Sequence, residues 1–114
     1  MATNAPFTPT GNTIAIAAAT TAPAAIQALS TTLGGNQYMI LNSGNVTVFM
    51  GSGSNASLAN INGGSLVVTA GSNVGSVPVL ANSVKVVSLS PNYYFTAQTA
   101  AGSATVYITP GDGM

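Results

Sequence analysis

The chain has 114 residues, 46% of them hydrophobic, and only Lys85 and Asp112 carry a formal charge at neutral pH. It contains no histidine or cysteine, which excludes catalytic relays built on those residues, thiolate metal sites and a disulfide scaffold. The length predicts one small domain. An ordinary soluble domain is about one quarter charged, and nearly neutral proteins tend to associate, so the composition predicts that this domain assembles with other protein chains.

The first residues are predicted to form an arm. Residues 1–11 are interpreted as an extended N-terminal arm and residues 12–114 as a single β-sandwich domain. Pro6 and Pro9 favour extended backbone, and no apolar face recurs along the arm. We expect Pro6, Phe7 and Pro9 to be interface residues through which the arm clamps a neighbouring subunit.

The stretch 24–33 is open to two interpretations. A short helix would use Ile26, Leu29 and Leu33, which recur at helical spacing and precede a glycine. An edge strand would centre on Ile26 and Gln27. The strands predicted on either side favour the strand.

Short apolar runs separated by Gly, Asn, Ser and Pro predict strands over the rest of the chain. These runs are residues 13–19, 38–42, 46–50, 65–69, 77–80, 83–89, 93–99 and 104–109. Residues 42–45, Asn-Ser-Gly-Asn, predict a hairpin, residues 51–64 predict a loop, and Pro78 marks an edge strand. About seven or eight strands with turn signals between them predict an all-β, antiparallel β-sandwich, of which a jelly roll is one form.

Two strands carry predictions about side-chain direction. Residues 38–42 are apolar on both faces, as in a central strand or one that lies under an interface. In the run 83–89 we expect Val84 and Val86 to point inward and Lys85 outward. Because Val87 then breaks the alternation, a bulge is predicted there.

The residue types leave little room for chemistry. A single Asp without Glu excludes paired catalytic carboxylates and supplies only one carboxylate ligand for a metal site. A catalytic pair of Ser83 or Ser88 as nucleophile with Lys85 as base has no second feature to support it. We therefore predict no enzymatic activity, no cofactor and no metal. One basic residue also argues against a nucleic-acid partner, and the polar residues within the Ala-rich stretch 14–29 argue against a membrane span.

Five segments carry a resemblance to known proteins. They are YMILNSG at residues 38–44, VTVFMG at 46–51, VPVL at 77–80, SPNY at 90–93 and GSATVYITPGDG at 102–113. In this pattern of strands and turns the chain resembles small β-sandwich virion proteins of tailed bacteriophages, of the capsid decoration or cement type. The likeness spans most of residues 37–113.

The resemblance implies a structural protein of the phage particle that decorates or cements the capsid through apolar and backbone contacts. Its partners would be the major capsid protein or other virion proteins and further copies of itself, with a homotrimer favoured. One alternative is a tail, neck or fibre component of the same particle. Another is a carbohydrate-binding β-sandwich, in which Tyr94 and Tyr107, our remaining interface candidates, would stack on sugar.

Overall fold

The computed structural model describes residues 8–30, 36–60, 65–71 and 74–112. Within these residues the chain forms nine strands and one short helix. Their bounds are β1 Thr8–Pro9, β2 Ile14–Ala18, β3 Ile26–Gln27, β4 Gln37–Asn42, β5 Val48–Gly53, α1 Ala56–Ala59, β6 Val77–Val79, β7 Ser83–Ser88, β8 Tyr94–Thr99 and β9 Ala104–Asp112.

The strands form two antiparallel sheets that pack face to face. The first sheet has the order β2-β9-β4-β7, and β1 continues the β2 edge beside β9. The second sheet has the order β3-β8-β5-β6. The core between them consists of Ile16, Ala18, Ala28, Tyr38, Ile40, Val48, Met50, Val79, Phe95, Ala97, Ala104, Val106 and Ile108. The predicted antiparallel β-sandwich is confirmed.

The pairing of the strands defines the topology. β2 pairs with β9, β3 with β8, β4 with β7 and β5 with β6. The first four of these strands thus pair with the last four in reverse order, as the two arms of one long hairpin would. Rolled into two four-stranded sheets, this hairpin is a jelly roll.

The chain crosses from the first sheet to the second directly after β4, and the hairpin predicted at this point is wrong. The Asn42 side chain is fully buried. Its Nδ2 lies 2.9 Å from the carbonyl oxygen of Val46, 3.1 Å from that of Val79 and 3.2 Å from that of Leu80. Its Oδ1 accepts a hydrogen bond from the Gly44 N–H. Because Asn42 bonds to both sides of this corner, β5 is held in the opposite sheet instead of beside β4.

The strand predicted for residues 65–69 is also wrong, because the described residues 65–71 contain no strand. Leu66 is fully buried, and its N–H donates to Oε1 of Gln98 at 2.8 Å. Leu66 is therefore buried and hydrogen-bonded to a side chain without joining a ladder, while Val67 and Val68 are half-buried.

The loop predicted for residues 51–64 is partly regular structure. Strand β5 continues through Gly53, and α1 follows. The Oδ1 of Asn55 accepts a hydrogen bond from the Leu58 N–H at 2.9 Å, which caps the start of α1. Residues 61–64 lie outside the described residues.

Two edge strands of the sandwich agree with the sequence-based interpretation. β3 is an edge strand beside β8, so the strand interpretation of residues 26–27 is confirmed; Leu33 of the helical alternative lies outside the described residues. β6 is the edge of the second sheet and contains Pro78, as predicted.

The ladder of β7 with β4 runs without interruption, so the bulge predicted at Val87 is wrong.

The described part of the predicted arm lies on the chain's own sheet. Thr8 and Pro9 pair with the end of β9, and Thr10 is buried. Pro6 and Phe7 lie outside the described residues, so the contacts expected of them stay a prediction.

Candidate interaction surface

The outer side of the first sheet is an uncharged, largely apolar surface. In β4, Tyr38, Ile40 and Asn42 are buried, so Met39 and Leu41 point outward. Residues directly opposite each other in an antiparallel pair lie on the same side of the sheet. The register therefore places the following residues on this side, which we call the open face: Ala15, Ala17, Gln37, Met39, Leu41, Val84, Val86, Ser88, Thr105, Tyr107 and Thr109.

Four large apolar side chains of the open face are exposed, and Met39 is half-buried. Val84 is 57% exposed, Val86 49%, Tyr107 39% and Leu41 37%. None of the residues of the face is charged. Four strands and about five residues along each correspond to roughly 300 Å², which is the size of the largest apolar patch on a typical monomer, a patch that is often functional.

The prediction that Val84 and Val86 point inward is wrong. Lys85 lies opposite the buried Ile40, and Val87 lies opposite the buried Tyr38. Val87 packs against the core. The pairing with β4 thus decides which residues of β7 face the core, and Val84 and Val86 face outward.

The outer side of the second sheet is covered by the chain itself. A Cβ atom at Gly51 would overlap the carbonyl oxygen of Ala59 in α1 and press on Leu66. Thr96, on the same side, is fully buried and donates to the carbonyl oxygen of Pro23 at 2.7 Å. The open face carries no such cover among the described residues, so the outer side of the second sheet is covered and that of the first sheet is exposed.

The structure separates the two tyrosines predicted as interface residues. Tyr107 belongs to the open face, whereas Tyr94 precedes the buried Phe95 in β8 and is half-buried on the outer side of the second sheet. They lie on opposite sides of the sandwich and cannot form one stacking platform for a sugar. Pro9 is exposed and lies opposite Gly111 at the edge of the first sheet.

Two residues that the sequence did not single out fix the sandwich beneath the open face. One is Asn42, which the sequence marks only as a turn residue. The other is Tyr38, whose hydroxyl donates to the carbonyl oxygen of Ser90 at 2.7 Å and accepts from the Tyr93 N–H at 3.2 Å. Its ring meets Phe95 edge-on across the core, with centroids 4.8 Å apart. Burial raises the pKa of the Tyr38 phenol above its ordinary value of 10.0.

Other features of the described residues offer little chemistry. No group of three or more potential metal-ligating side chains occurs among them. The single helix that the structure describes has four residues, so no described helix could cross a membrane. The Ser83 hydroxyl donates to the carbonyl oxygen of Leu80 at 2.6 Å. A shallow cleft of about 320 Å³ has Ser43, Ser103 and Thr105 as its polar lining residues.

No protein-family model matches the chain, and neither a curated protein nor a solved structure matches it. The open face is the largest uncharged, mainly apolar sheet surface that the described residues leave exposed.

Proposed function

We propose that the chain is a structural protein of a bacteriophage particle that attaches to the capsid through the open face, as a decoration or cement protein of the virion. The observation that carries this proposal is the open face, an uncharged apolar sheet surface that the chain itself leaves exposed while it covers the opposite side. Exposed patches of this kind mark contacts with other proteins.

The chemistry of the open face defines the surface that fits it. A charged partner group would lose its hydration against Leu41 and Val84 without gaining an ionic partner. The partner surface is therefore flat, apolar and uncharged. Tyr107 lies near the centre of the face, and tyrosine is one of the residue types enriched among those that dominate binding energy at interfaces.

The size of the open face favours many weak contacts acting together. Roughly 300 Å² is well below the ~800 Å² that each partner buries in a standard stable complex. An oligomer that presents several open faces at once gains affinity by multivalency. A homotrimer on the capsid is the form that we favour.

The assignment to a phage particle rests on the resemblance of residues 37–113 to small virion proteins, and a jelly roll is a fold that viral capsid proteins use. A tail, neck or fibre component of the same particle would use the same contact chemistry. The two differ in copy number, since decoration proteins occupy repeated positions over the shell. The ratio of this chain to the major shell protein in purified particles separates them.

A binding experiment tests the role of the open face directly. Leu41→Lys places a charge in the middle of the face, and Leu80→Lys places the same charge on a residue that is 67% exposed elsewhere. We expect wild type and Leu80→Lys to cosediment with particles and folded Leu41→Lys to remain in the supernatant. Wild-type binding by Leu41→Lys would contradict the proposal.

A further inference from the structure

The one basic residue of the chain occupies a particular place in the fold. Lys85 lies in β7, the outermost strand of the first sheet, directly opposite Ile40. Ile40 is 2% exposed, so Lys85 lies on the core side of the sheet. It is nevertheless exposed, because β7 has no neighbour beyond it among the described residues.

Strand β7 would otherwise be a good template for the addition of another strand. It has six residues, no proline and an uninterrupted ladder with β4. Val84 and Val86 are exposed on it, and valine favours strands. Without Lys85, the sequence 83–89 would be a charge-free β-forming segment on a sheet edge, which is the usual signature of edge-to-edge association.

The other described edges have different protection. β6 contains Pro78, which cannot donate to a ladder, and β3 has only two residues. At the β2 edge, Gly11 and Ala19, which flank the strand, form isolated bridges with Ser30 and Gln98, so at most the five residues of β2 itself are open to a further strand. Of the described edge strands, β7 is the one that carries a charged side chain, and this charge is its protection against the addition of another strand.

We propose that Lys85 determines how the protein assembles, by preventing a strand of a second copy from adding to β7. An added strand would make β7 internal and enclose the Lys85 side chain between the two sheets, near Ile40 and Val87. A buried ammonium group without a partner is strongly unfavourable, and inward-pointing charges are a known protection of sheet edges. Association is thereby restricted to surfaces other than this edge. This inference concerns the chain alone and does not depend on the proposed phage function.

Three substitutions separate the charge of Lys85 from its other properties. Lys85→Thr removes the charge and keeps a strand-forming residue, Lys85→Arg keeps the charge, and Lys85→Glu reverses it. In sedimentation velocity, we expect Lys85→Thr to associate beyond the wild-type state at a concentration at least roughly tenfold lower, with an increase in intermolecular β-structure by infrared spectroscopy. Lys85→Arg and Lys85→Glu should keep the wild-type state, because either charge resists burial. A wild-type state for Lys85→Thr, or association of Lys85→Glu like that of Lys85→Thr, would overturn the proposal.

Chemical modification of the folded wild-type protein tests the same point without a substitution. Acetylation removes the charge of the single lysine, whereas reductive dimethylation keeps it. Acetylation also removes the charge of the N-terminal amine, so the control is the acetylated Lys85→Arg protein, in which only that amine reacts and which should keep the wild-type state. We expect the acetylated protein to associate and the dimethylated protein to stay in the wild-type state; equal behaviour of the two would contradict the proposal.

The double variant Leu41→Lys/Lys85→Thr distinguishes this proposal from the role of the open face. It should still associate through β7 although it no longer binds the particle. Loss of this association in the double variant would show that Lys85→Thr acts through the open face and would overturn the inference.

Discussion

Nδ2 of Asn42 lies 3.1 Å from the carbonyl oxygen of Val79 and joins the end of β4 in the first sheet to the end of β6 in the second. Both residues are buried. Among the described residues no buried side-chain nitrogen or oxygen lacks a hydrogen-bond partner. The corner that carries the chain between the sheets thus depends on one amide group.

Replacement of Asn42 by alanine should lower the free energy of unfolding by about 2–3 kcal/mol, because it leaves buried carbonyl oxygens unpaired. Urea denaturation measures this loss. The matched control is Asn45→Ala, at an exposed residue three positions further along the chain, which should change stability by less than about 0.5 kcal/mol. Equal effects of the two substitutions would show that Asn42 does not hold the corner.

Gly44→Ala should destabilise the protein by about 1–3 kcal/mol, the range typical of overpacking. A Cβ atom at Gly44 would overlap the Cβ of Ala104. Thermal unfolding should show partial recovery in the double variant Gly44→Ala/Ala104→Gly, which removes one of the two methyl groups. Gly75→Ala, where an added Cβ has nothing within 4 Å, should be tolerated. A double variant no more stable than Gly44→Ala would contradict this packing.

Stability should fall at alkaline pH through Tyr38. Because burial raises the pKa of its phenol above 10.0 in the folded state, the folded protein holds this proton more tightly than the unfolded chain does. The contribution is therefore complete below pH 10.0 and is lost as the pH rises above that value. Urea denaturation of wild type and Tyr38→Phe over this range should give a steeper decline for wild type. Parallel declines would contradict the assignment to Tyr38.

Binding through the open face should be almost independent of ionic strength, since screening acts on charges and the face has none. Between about 0.05 M and about 1 M sodium chloride, affinity for the particle should stay constant or rise slightly, as apolar contacts do in salts that are excluded from protein surfaces. Release of the bound protein by moderate salt would show that ionic contacts hold it.

Some features of the fold follow from the local sequence pattern, whereas others depend on which strands pair. The alternation in residues 104–109 puts Val106 and Ile108 on one side of the strand and Tyr107 on the other, and in the structure the first two are buried and Tyr107 is exposed. In β7, however, valines lie on both sides of the strand, and only the register with β4 decides which face the core. The local pattern cannot supply that register.

The corner at Asn42 was missed for a related reason. Asn and Gly indicate a turn, but they do not specify whether the next strand pairs with the previous one or crosses to another sheet. That choice depends on the carbonyl oxygens of Val79 and Leu80, which are more than thirty positions away in the chain. The sequence did identify residues 38–42 as apolar on both sides, and the outward side, Met39 and Leu41, is part of the open face.

Hydroxyl-radical footprinting of the free and the particle-bound protein shows which side of the sandwich contacts the particle. Met39 and Tyr107 report on the open face, and Tyr94, on the outer side of the second sheet, is the internal reference. If the open face is the contact surface, labelling of Met39 and Tyr107 falls on binding while labelling of Tyr94 is unchanged. Protection of Tyr94 with undiminished labelling of Met39 and Tyr107 would contradict it.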